Sequence, residues 1–516
     1  MKRVLFLTTL VCQGGVMYTA SAQQATDTRP NILYVFPDQM RNDACGFWRE
    51  EGFREYRNAK GDPTVTPNLN RFARESLVLT SAQSNNPVSS PHRAMLMTGM
   101  YSAEATGVPL NCNTDFPANS LNPDIETIGD VFSKAGYDCA YIGKYHLDAP
   151  TPNDPERPGH YVSEKYPVWD AYTPAERRHG FNYWYSYGTY DVFKAPHYWD
   201  NEGVKHEPYE YSPVYEAKKA IAYLKNRGNV RNPDKPFLMM VGMNPPHSPY
   251  NSLRDCMEED YELYKDVPID SLLFRPNITD RTLPKMKCAP YYFANVTGVD
   301  RAFGMILDAL KELGLDKNTI VVFTSDHGEL MCAHGEGSEA KNMPYTEAMN
   351  VPFLIRYPDE IVPRVDSLLL SSPDIMPTLI GLAGMKECIP ATVQGTDYSD
   401  YMKKPISGKR PQSALYFKNA GGSFECLGDT LDFFPLARGL KTDRYTLAFF
   451  IDRERKLAKT YFYDDMKDPY QTENLSLEEN KELVKKLCKE LSYQLKKIDD
   501  PWFKEKVLKD LIGYRY

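Results

Sequence analysis

Polar residues suited to metal binding and proton transfer follow short apolar runs at four places in the sequence. The four sets are Asp38-Gln39, Lys144-Tyr145-His146, Asn244-Pro245-Pro246-His247 and Asp326-His327-Gly328. Carboxylate, amide and imidazole groups can hold a divalent cation, whereas lysine and histidine can neutralise an anion or move a proton. If the apolar runs are parallel strands, these groups meet at the carboxyl edge of one sheet. The sequence therefore predicts one site assembled from distant parts of the chain.

The segments that must position these groups have the pattern of an α/β protein. Strands are predicted at 31–36, 138–142, 235–241, 319–323 and 351–355. Helices are predicted at 92–98, 125–135, 214–227, 291–313, 372–383 and 477–497. This alternation is typical of a largely parallel sheet flanked by helices. From about residue 390 the strands shorten, so we predict a large mixed, mostly parallel sheet and a smaller C-terminal α+β domain. That domain is expected to carry a short antiparallel sheet and a helix.

The N-terminus and the net charge restrict where the protein acts and what it binds. Residues 1–22 combine Lys2-Arg3, an apolar stretch and Ala20-Ser21-Ala22, a pattern typical of a secretory signal peptide. No later segment approaches the roughly 20 apolar residues of a membrane span. The 61 basic and 69 acidic side chains give a net charge of −8, which argues against a nucleic-acid partner. We therefore expect an exported protein, periplasmic or secreted.

The most specific chemical signal is Ser89-Ser90-Pro91-His92-Arg93, followed by Thr98-Gly99. It resembles the C/S-x-P-x-R motif of formylglycine-dependent (type I) sulfatases in the alkaline phosphatase superfamily. Further segments match that family in order and spacing from about residue 30 to 395. They are Pro30-Asn-Ile-Leu33 before Asp38, Gly143-Lys-Tyr-His146, Pro245-Pro-His247, Ser325-Asp-His-Gly328, and Lys341 before Val351-Pro-Phe-Leu-Ile-Arg356. Tyr463-Asp464 and Glu473-Asn-Leu475 resemble the family's C-terminal domain.

This resemblance implies an alkaline phosphatase-like fold and a division of the chain into three parts. They are a signal peptide at 1–22, a catalytic domain at 23–390 and a C-terminal α+β subdomain at 391–516. The implied activity is removal of sulfate from a sulfated carbohydrate: a host glycosaminoglycan, a mucin-type glycan or an algal glycan. Serine rather than cysteine at position 89 implies oxidation to formylglycine by a bacterial radical maturase before export.

The resemblance also assigns roles to residues. Hydrated formylglycine at Ser89 would attack sulfur, Arg93 would hold the nucleophile, and Lys144 and Lys341 would neutralise sulfate. His247 would protonate the leaving oxygen with Lys341, while His146 would take a proton from the second hydroxyl. The implied metal ligands are Asp38, Gln39, Ser89, Asp326 and His327. Calcium is the first choice of cation because most of these ligands are oxygens, and magnesium and manganese are the alternatives.

Substrate recognition is predicted in residues 149–213, an insert rich in Pro, Tyr, Trp and His with little periodicity. Flat aromatic faces suit sugar rings, and His197 and Trp199 are the candidate contacts. The sequence leaves the sugar, the sulfate position and endo or exo action open. A phosphodiester or phosphonate monoester hydrolase of the same superfamily is the alternative function. Binding of sulfated glycans without catalysis is the third.

Overall fold

Two sheets organise the protein in the computed structural model, which describes residues 28–101, 103–113, 119–164, 169–279, 284–337, 339–405, 410–419 and 434–513. One is a ten-stranded mixed sheet and the other a four-stranded antiparallel sheet. This confirms the predicted fold class of a large, mostly parallel sheet with a smaller C-terminal α+β region. The predicted signal peptide at 1–22 lies outside the described residues.

The large sheet has the order β10-β2-β9-β8-β1-β7-β3-β4-β5-β6. Its strands are β1 (Asn31–Pro37), β2 (Leu77–Leu79), β3 (Asp138–Lys144), β4 (Tyr183–Tyr187), β5 (Tyr198–Trp199), β6 (Lys205–His206), β7 (Phe237–Met243), β8 (Thr319–Thr324), β9 (Phe353–Arg356) and β10 (Arg364–Asp366). The central strands β8, β1, β7, β3 and β4 are parallel, and β9, β5 and β6 are antiparallel to their neighbours. The five central strands therefore end at the same edge.

Helices cover both faces of this sheet, and the last three helices pack on the small sheet instead. They are α1 (Pro67–Arg74), α2 (Ser89–Thr98), α3 (Ala103–Thr106), α4 (Ile128–Lys134), α5 (Ser212–Leu224), α6 (Glu258–Tyr261), α7 (Ile269–Leu272), α8 (Ala289–Glu312), α9 (Thr346–Met349), α10 (Ile375–Leu382), α11 (Ser399–Lys403), α12 (Lys481–Lys497), α13 (Pro501–Lys504) and α14 (Val507–Ile512). Alternate side chains of β1 point to opposite faces. Leu33 and Val35 lie in the core with α5 and α8, and Ile32 and Tyr34 in the core with α2 and α10. No helix in the described ranges combines the length and apolar character of a membrane-crossing segment.

Two local predictions are corrected by the structure. The helix expected at 92–98 begins at Ser89, because Val88 rather than the prolyl segment is its extended N-cap residue. The insert at 149–213, expected to be irregular, contains β4, β5 and β6 and the start of α5. The strands β5 and β6 have two residues each. Strands this short form through pairing with a neighbour and leave no alternating pattern in the sequence.

The small sheet contains β11 (Ala414–Lys418), β12 (Ala437–Lys441), β13 (Tyr445–Ile451) and β14 (Leu457–Asp464) in sequential order. Leu487 and Leu491 of α12 pack on it. Its edge strand β11 is tied to the loop before Ser89, since the Phe417 backbone N–H donates to the Asn85 carbonyl at 2.7 Å. The Tyr416 hydroxyl donates to the Asn342 carbonyl at 2.9 Å. The small sheet thus supports two loops that carry predicted site residues.

Candidate active site

The carboxyl ends of β1, β3, β7 and β8 deliver the predicted site residues to one edge of the large sheet. Asp38 follows β1 directly, Lys144 ends β3, and Asp326 lies two residues beyond β8. The Asp38 N–H donates to the Met243 carbonyl at the end of β7 at 2.9 Å, which holds these strand ends together. Parallel pairing alone therefore gathers groups that are almost 300 positions apart.

Ser89 is the first residue of α2, and its side chain lies in the middle of this edge. Its hydroxyl donates to Asp38 Oδ1 at 3.2 Å and lies 3.1 Å from His327 Nε2. Only 1% of Ser89 is exposed. A position in the first helical turn places the positive end of the helix dipole beside it. The site is therefore suited to an anion held next to residue 89.

Two carboxylates and an imidazole form a buried cluster beside Ser89. One ligand atom each from Asp38, Asp326 and His327 lies within 4.8 Å of the others. His327 Nδ1 donates to the Gly328 carbonyl at 3.0 Å, so the neutral ring has its free lone pair on Nε2. That atom lies 3.4 Å from Asp38 Oδ1. Buried oxygen atoms with a correctly oriented imidazole fit a divalent cation.

Gln39, also predicted as a ligand, borders this cluster. Its backbone N–H donates to Asp326 Oδ1 at 3.0 Å. Its side-chain carbonyl accepts a hydrogen bond from Lys341 at 2.6 Å, and its amide donates to Glu329. Glu329 was not identified from the sequence, although it follows Ser325-Asp-His-Gly328 directly. Its carboxylate also accepts hydrogen bonds from the Tyr250 hydroxyl and the Met331 N–H, so it fixes the Gln39 amide from behind.

Two buried cations bridge the carboxylates. Arg93 Nη2 lies 3.1 Å from Asp326 Oδ2 and 3.3 Å from Asp38 Oδ2, and its Nη1 donates to the Lys144 carbonyl at 2.7 Å. Lys144 Nζ lies 2.8 Å from Asp38 Oδ2 and donates to Asn244 Oδ1 at 3.0 Å. Burial alone would raise the pKa of Asp38, but Lys144 and the neighbouring histidines hold that pKa well below its usual value. Burial and the charge of Asp38 raise the pKa of Asp326.

His247 and Lys341 form a pair. His247 Nδ1 donates to the Ser248 carbonyl at 2.7 Å, so its Nε2 accepts the hydrogen bond from Lys341 Nζ at 3.0 Å. Burial lowers the pKa of Lys341. Burial, Lys341 and Lys144 together lower the pKa of His247 well below its ordinary value. The exchangeable proton of this pair therefore resides on Lys341 when the site is at rest.

His146 carries its ring hydrogen on Nε2, whereas His247 carries it on Nδ1. The His146 Nε2 lies 3.1 Å from Asn113 Oδ1, an oxygen that can only accept, so this nitrogen carries the hydrogen. Its Nδ1 is buried and has no hydrogen-bond partner among the described residues. Burial and the charges of Lys144 and Arg93 lower the pKa of His146 well below its ordinary value. A neutral ring with a free lone pair is a proton acceptor.

The unusual His92 of the motif is a packing residue. Its Nδ1 lies 3.1 Å from the Ser84 hydroxyl and 3.0 Å from the Ser372 hydroxyl, on the side of α2 that faces α10. It is 1% exposed.

The two predicted sugar contacts lie apart from this edge. Trp199 is buried behind His197, and the two ring centroids are 4.8 Å apart, so the indole ring presents no face to a substrate. His197 borders a cavity.

Comparison with known proteins assigns this arrangement to a family. A family model described as Sulfatase matches residues 30–385. The chain belongs to the sulfatase family. A second model, described as N-sulphoglucosamine sulphohydrolase, C-terminal, matches residues 336–499 of the sulfatase. Sulfuric ester hydrolysis is therefore its activity, in preference to the phosphodiester or phosphonate alternative.

Relatives resemble the sulfatase over nearly its whole length. An endo-4-O-sulfatase of Bacteroides thetaiotaomicron is 59% identical over 510 residues, which cover 98% of this chain and 99% of the relative. An ulvan-active sulfatase of Formosa agariphila is 35% identical over 92% of this chain and 81% of its own. A solved structure from work on the metabolism of multiple glycosaminoglycans by Bacteroides thetaiotaomicron has a TM-score of 0.91 and 60% identity. It covers 94% of this chain and 100% of its own.

Proposed function

We propose that this sulfatase removes sulfate from O4 of a sugar inside a sulfated carbohydrate chain. The observation that carries the proposal is the buried Ser89, whose hydroxyl contacts Asp38 and His327 in a cluster suited to a divalent cation. The endo-4-O-sulfatase relative supports the position and the endo mode of action because it is similar over nearly the full length of both chains. The ulvan-active relative supports a glycan substrate in general.

Two groups complete the site. A divalent cation, with calcium our first choice, would be held by Asp38, Asp326 and His327 with Gln39 alongside, and it supplies charge that lowers the pKa of a hydroxyl on residue 89. Formylglycine at position 89 supplies, as its hydrate, two hydroxyls on one carbon. The chain's own contribution is to hold these groups: Arg93 fixes both carboxylates, and α2 directs the positive end of its helix dipole at residue 89.

The two lysines and His247 handle the sulfate and the leaving group. Lys144 and Lys341 place positive charge at the buried edge, where water screens it little, so each can neutralise a sulfate oxygen. His247 lies between Lys341 and the outer part of the site, and its Nε2 holds a hydrogen bond from the lysine. As the S–O bond breaks, the leaving alkoxide takes a proton from this pair. Lys341, which holds this proton at rest, transfers it to His247 Nε2, and that nitrogen passes it to the leaving oxygen.

His146 completes the cycle. Its Nε2 hydrogen is fixed by Asn113, which leaves Nδ1 to accept the proton of the second hydroxyl at position 89. Loss of that proton re-forms the aldehyde as the bond to sulfate breaks. Asn113 is a positioning residue here, because it acts through the histidine ring.

Maturation and location belong to the same proposal. We infer that a bacterial radical maturase oxidises Ser89, that residues 1–22 direct export, and that the enzyme acts in the periplasm or outside the cell. The division into 23–390 and 391–516 is retained as a proposed domain boundary. Tyr398 and Met402 of the second segment pack in the core of the large sheet, so the two parts share an interface.

The test is a sulfate-release assay on protein from its native host. Peptide mass spectrometry should find residue 89 lighter than serine by two hydrogens, and a panel of defined sulfated oligosaccharides should show release from O4. Ser89→Ala is the matched control, because it removes the nucleophile and one buried hydroxyl hydrogen bond at a cost of only about 1 kcal/mol in stability. Turnover by protein with wholly unmodified Ser89 would overturn the mechanism. Release from other positions alone would overturn the O4 assignment.

A further inference from the structure

A cavity of about 540 Å³ lies beside the active site, a size within the range of about 300–1,000 Å³ that is usual for ligand sites. Its walls include Trp169, Tyr190, Asp191, His197, Lys205 and Pro249. All but Pro249 come from the insert at 149–213, so the cavity is built mainly from this insert rather than from the central strand ends.

Asp191 joins the cavity to the catalytic edge. Its Oδ1 lies 3.6 Å from His247 Nδ1 and accepts a hydrogen bond from the Asn244 amide at 2.9 Å. The Asn244 carbonyl in turn accepts the hydrogen bond from Lys144. Since Lys341 contacts the other ring nitrogen of His247, the cavity and Lys341 lie on opposite edges of the imidazole. The cavity therefore opens beside the group that protonates the leaving oxygen.

His197 is held rigidly in the cavity wall. Its Nε2 lies 2.6 Å from Asp170 Oδ2, and only 6% of its side chain is exposed. Asp170 Oδ1 accepts the backbone N–H groups of Ala171 and Thr189, both at 2.8 Å. The Asp170 carboxylate is thus fully engaged in fixing the ring, with none of its oxygens free of a donor. The hydrogen-bonded pair of His197 and Asp170 is therefore a fixed part of the cavity wall.

The remaining surface combines ring faces with separated polar groups. The Tyr190 ring lies against His197 with centroids 4.2 Å apart, and Trp169 forms another part of the wall. Asp191 contributes an acceptor, and Lys205 contributes a donor that is paired with the exposed Glu207 at 2.8 Å. Two carboxylates in the wall disfavour a phosphate-rich ligand. Rings with separated donors and acceptors suit the C–H faces and hydroxyls of a sugar.

We propose that this cavity is a saccharide subsite that binds the sugar adjoining the sulfated residue, on the side of the leaving oxygen. The inference rests on the proposed function, and it adds where the neighbouring sugar of the chain binds. Tyr190 and Trp169 contact ring faces, while His197 and Asp191 bind hydroxyls. Because Asp191 also contacts Asn244, occupation of the cavity is coupled to the positions of His247 and Lys144.

The kinetic test compares a sulfated tetrasaccharide with a small aryl sulfate that is too short to fill the cavity. In Tyr190→Ala and His197→Gln, KM for the tetrasaccharide should rise at least ~10-fold, and the loss of kcat/KM should exceed the loss on the aryl sulfate by at least ~10-fold. Glu207→Gln is the matched control at the exposed rim and should change neither substrate by more than ~2-fold. Equal losses on both substrates, or no loss on the tetrasaccharide, would overturn the subsite.

A binding test separates this inference from the proposed function. Ser89→Ala protein is titrated calorimetrically with the desulfated tetrasaccharide, which needs neither formylglycine nor turnover. Adding Tyr190→Ala or His197→Gln should weaken binding at least ~10-fold, with Tyr190→Ala serving if the histidine variant does not fold. Absence of binding, or equal binding in all variants, would overturn the subsite. If Ser89→Ala protein binds the tetrasaccharide but the wild-type enzyme hydrolyses no sulfate ester, the proposed function is overturned and the subsite remains supported.

Discussion

Two buried clusters of charged residues in the described part of the chain have similar compositions and different behaviour. The catalytic cluster contains Asp38, Asp326, Glu329, Arg93, Lys144 and Lys341. The second, which we name the arginine cluster, contains Asp43, Asp62, Glu347, Arg41, Arg57 and Arg275. Each has three acids and three bases, and all of these side chains are buried except Lys341, which is partly buried.

The arginine cluster keeps its charges fixed. Arg275 Nη2 lies 2.8 Å from Asp43 and 3.3 Å from Asp62, and Arg41 Nε lies 2.7 Å from Asp62. Burial would raise the pKa of Asp43 and of Glu347, but the arginines, with His334 beside Glu347, hold both below their usual values. Acidic partners outweigh burial and raise the pKa of Arg275. All these shifts favour the charged forms.

The catalytic cluster contains groups that can change their protonation. Burial lowers the pKa of Lys341, and the pKa values of His146 and His247 are also lowered. A buried ion network is therefore no sign of an active site by itself. The distinguishing feature is a lysine or histidine pushed towards its neutral form beside a nucleophile.

The largest effect should come from removing the cation at the catalytic cluster. Chelation should lower kcat/KM at least ~10²-fold, because the developing charge loses its electrostatic partner, and added calcium should restore the activity. Asp326→Ala should lose metal affinity in the same way, as measured by equilibrium dialysis with calcium. Full activity in metal-free enzyme would contradict the assignment. The arginine cluster should be unaffected, so the fold should survive chelation.

The next effect separates the two histidines. His247→Ala should slow hydrolysis of a sugar sulfate ~10²–10⁴-fold and that of an activated aryl sulfate much less, because a phenolate leaves without a proton. His146→Ala should instead leave sulfate attached to residue 89, which peptide mass spectrometry detects. Steady-state rates on both substrates make the comparison. Equal losses for His247→Ala on the two would mean that another group is the acid.

A stability effect should follow from breaking the arginine cluster. Arg275→Met removes the one guanidinium that contacts all three buried acids of this cluster and should lower the free energy of unfolding by about 3–5 kcal/mol. Chemical denaturation measures it. Arg71→Met breaks an exposed pair with Asp308 and should change the free energy by less than about 1 kcal/mol. Rates per folded molecule should remain unchanged in both, and a fall confined to activity would contradict the comparison.

The smallest expected effect is a change in how the stability of the protein depends on pH. Because the folded pKa of Glu347 lies below its unfolded value of about 4.3, this group stabilises the protein above that pH and the contribution is lost as pH falls. Glu347→Gln should therefore melt at a lower temperature at pH 7 and lose less stability than wild type between about pH 5 and pH 2. Melting temperature against pH is the measurement. Asp308→Asn, at an exposed position, should parallel wild type; an unchanged slope in Glu347→Gln would refute the claim.

The sequence was sufficient to predict the fold class and the group of residues brought together at the sheet edge. Strong apolar runs define β1, β3, β7 and β8, and parallel pairing then places the residues that follow them. Residues that act through a neighbour could not be predicted. Asn113 is an ordinary loop residue until the fold brings it to His146. Glu329 had a signal in its place directly after the Asp326 motif.

The arginine cluster shows the limit more sharply. Its members are spread from Arg41 to Glu347 with no common spacing, and they meet only because three separate segments pack together. The same holds for the cavity wall, where Asp170 reaches His197 across 27 positions. Trp199 looked like a sugar contact because it is aromatic, but burial depends on its neighbours rather than on its type.

The enclosure of Ser89 sets an order of events in time. With 1% of the residue exposed and α2 buried along its whole length, a modifying enzyme cannot reach this hydroxyl once the native core has closed. If Ser89 is oxidised to formylglycine as we propose, the oxidation must occur on the nascent or unfolded chain. A molecule that folds before this oxidation would then retain serine at position 89. The fraction of active enzyme in a cell would thus depend on the rate of oxidation by the maturase relative to the rate of folding.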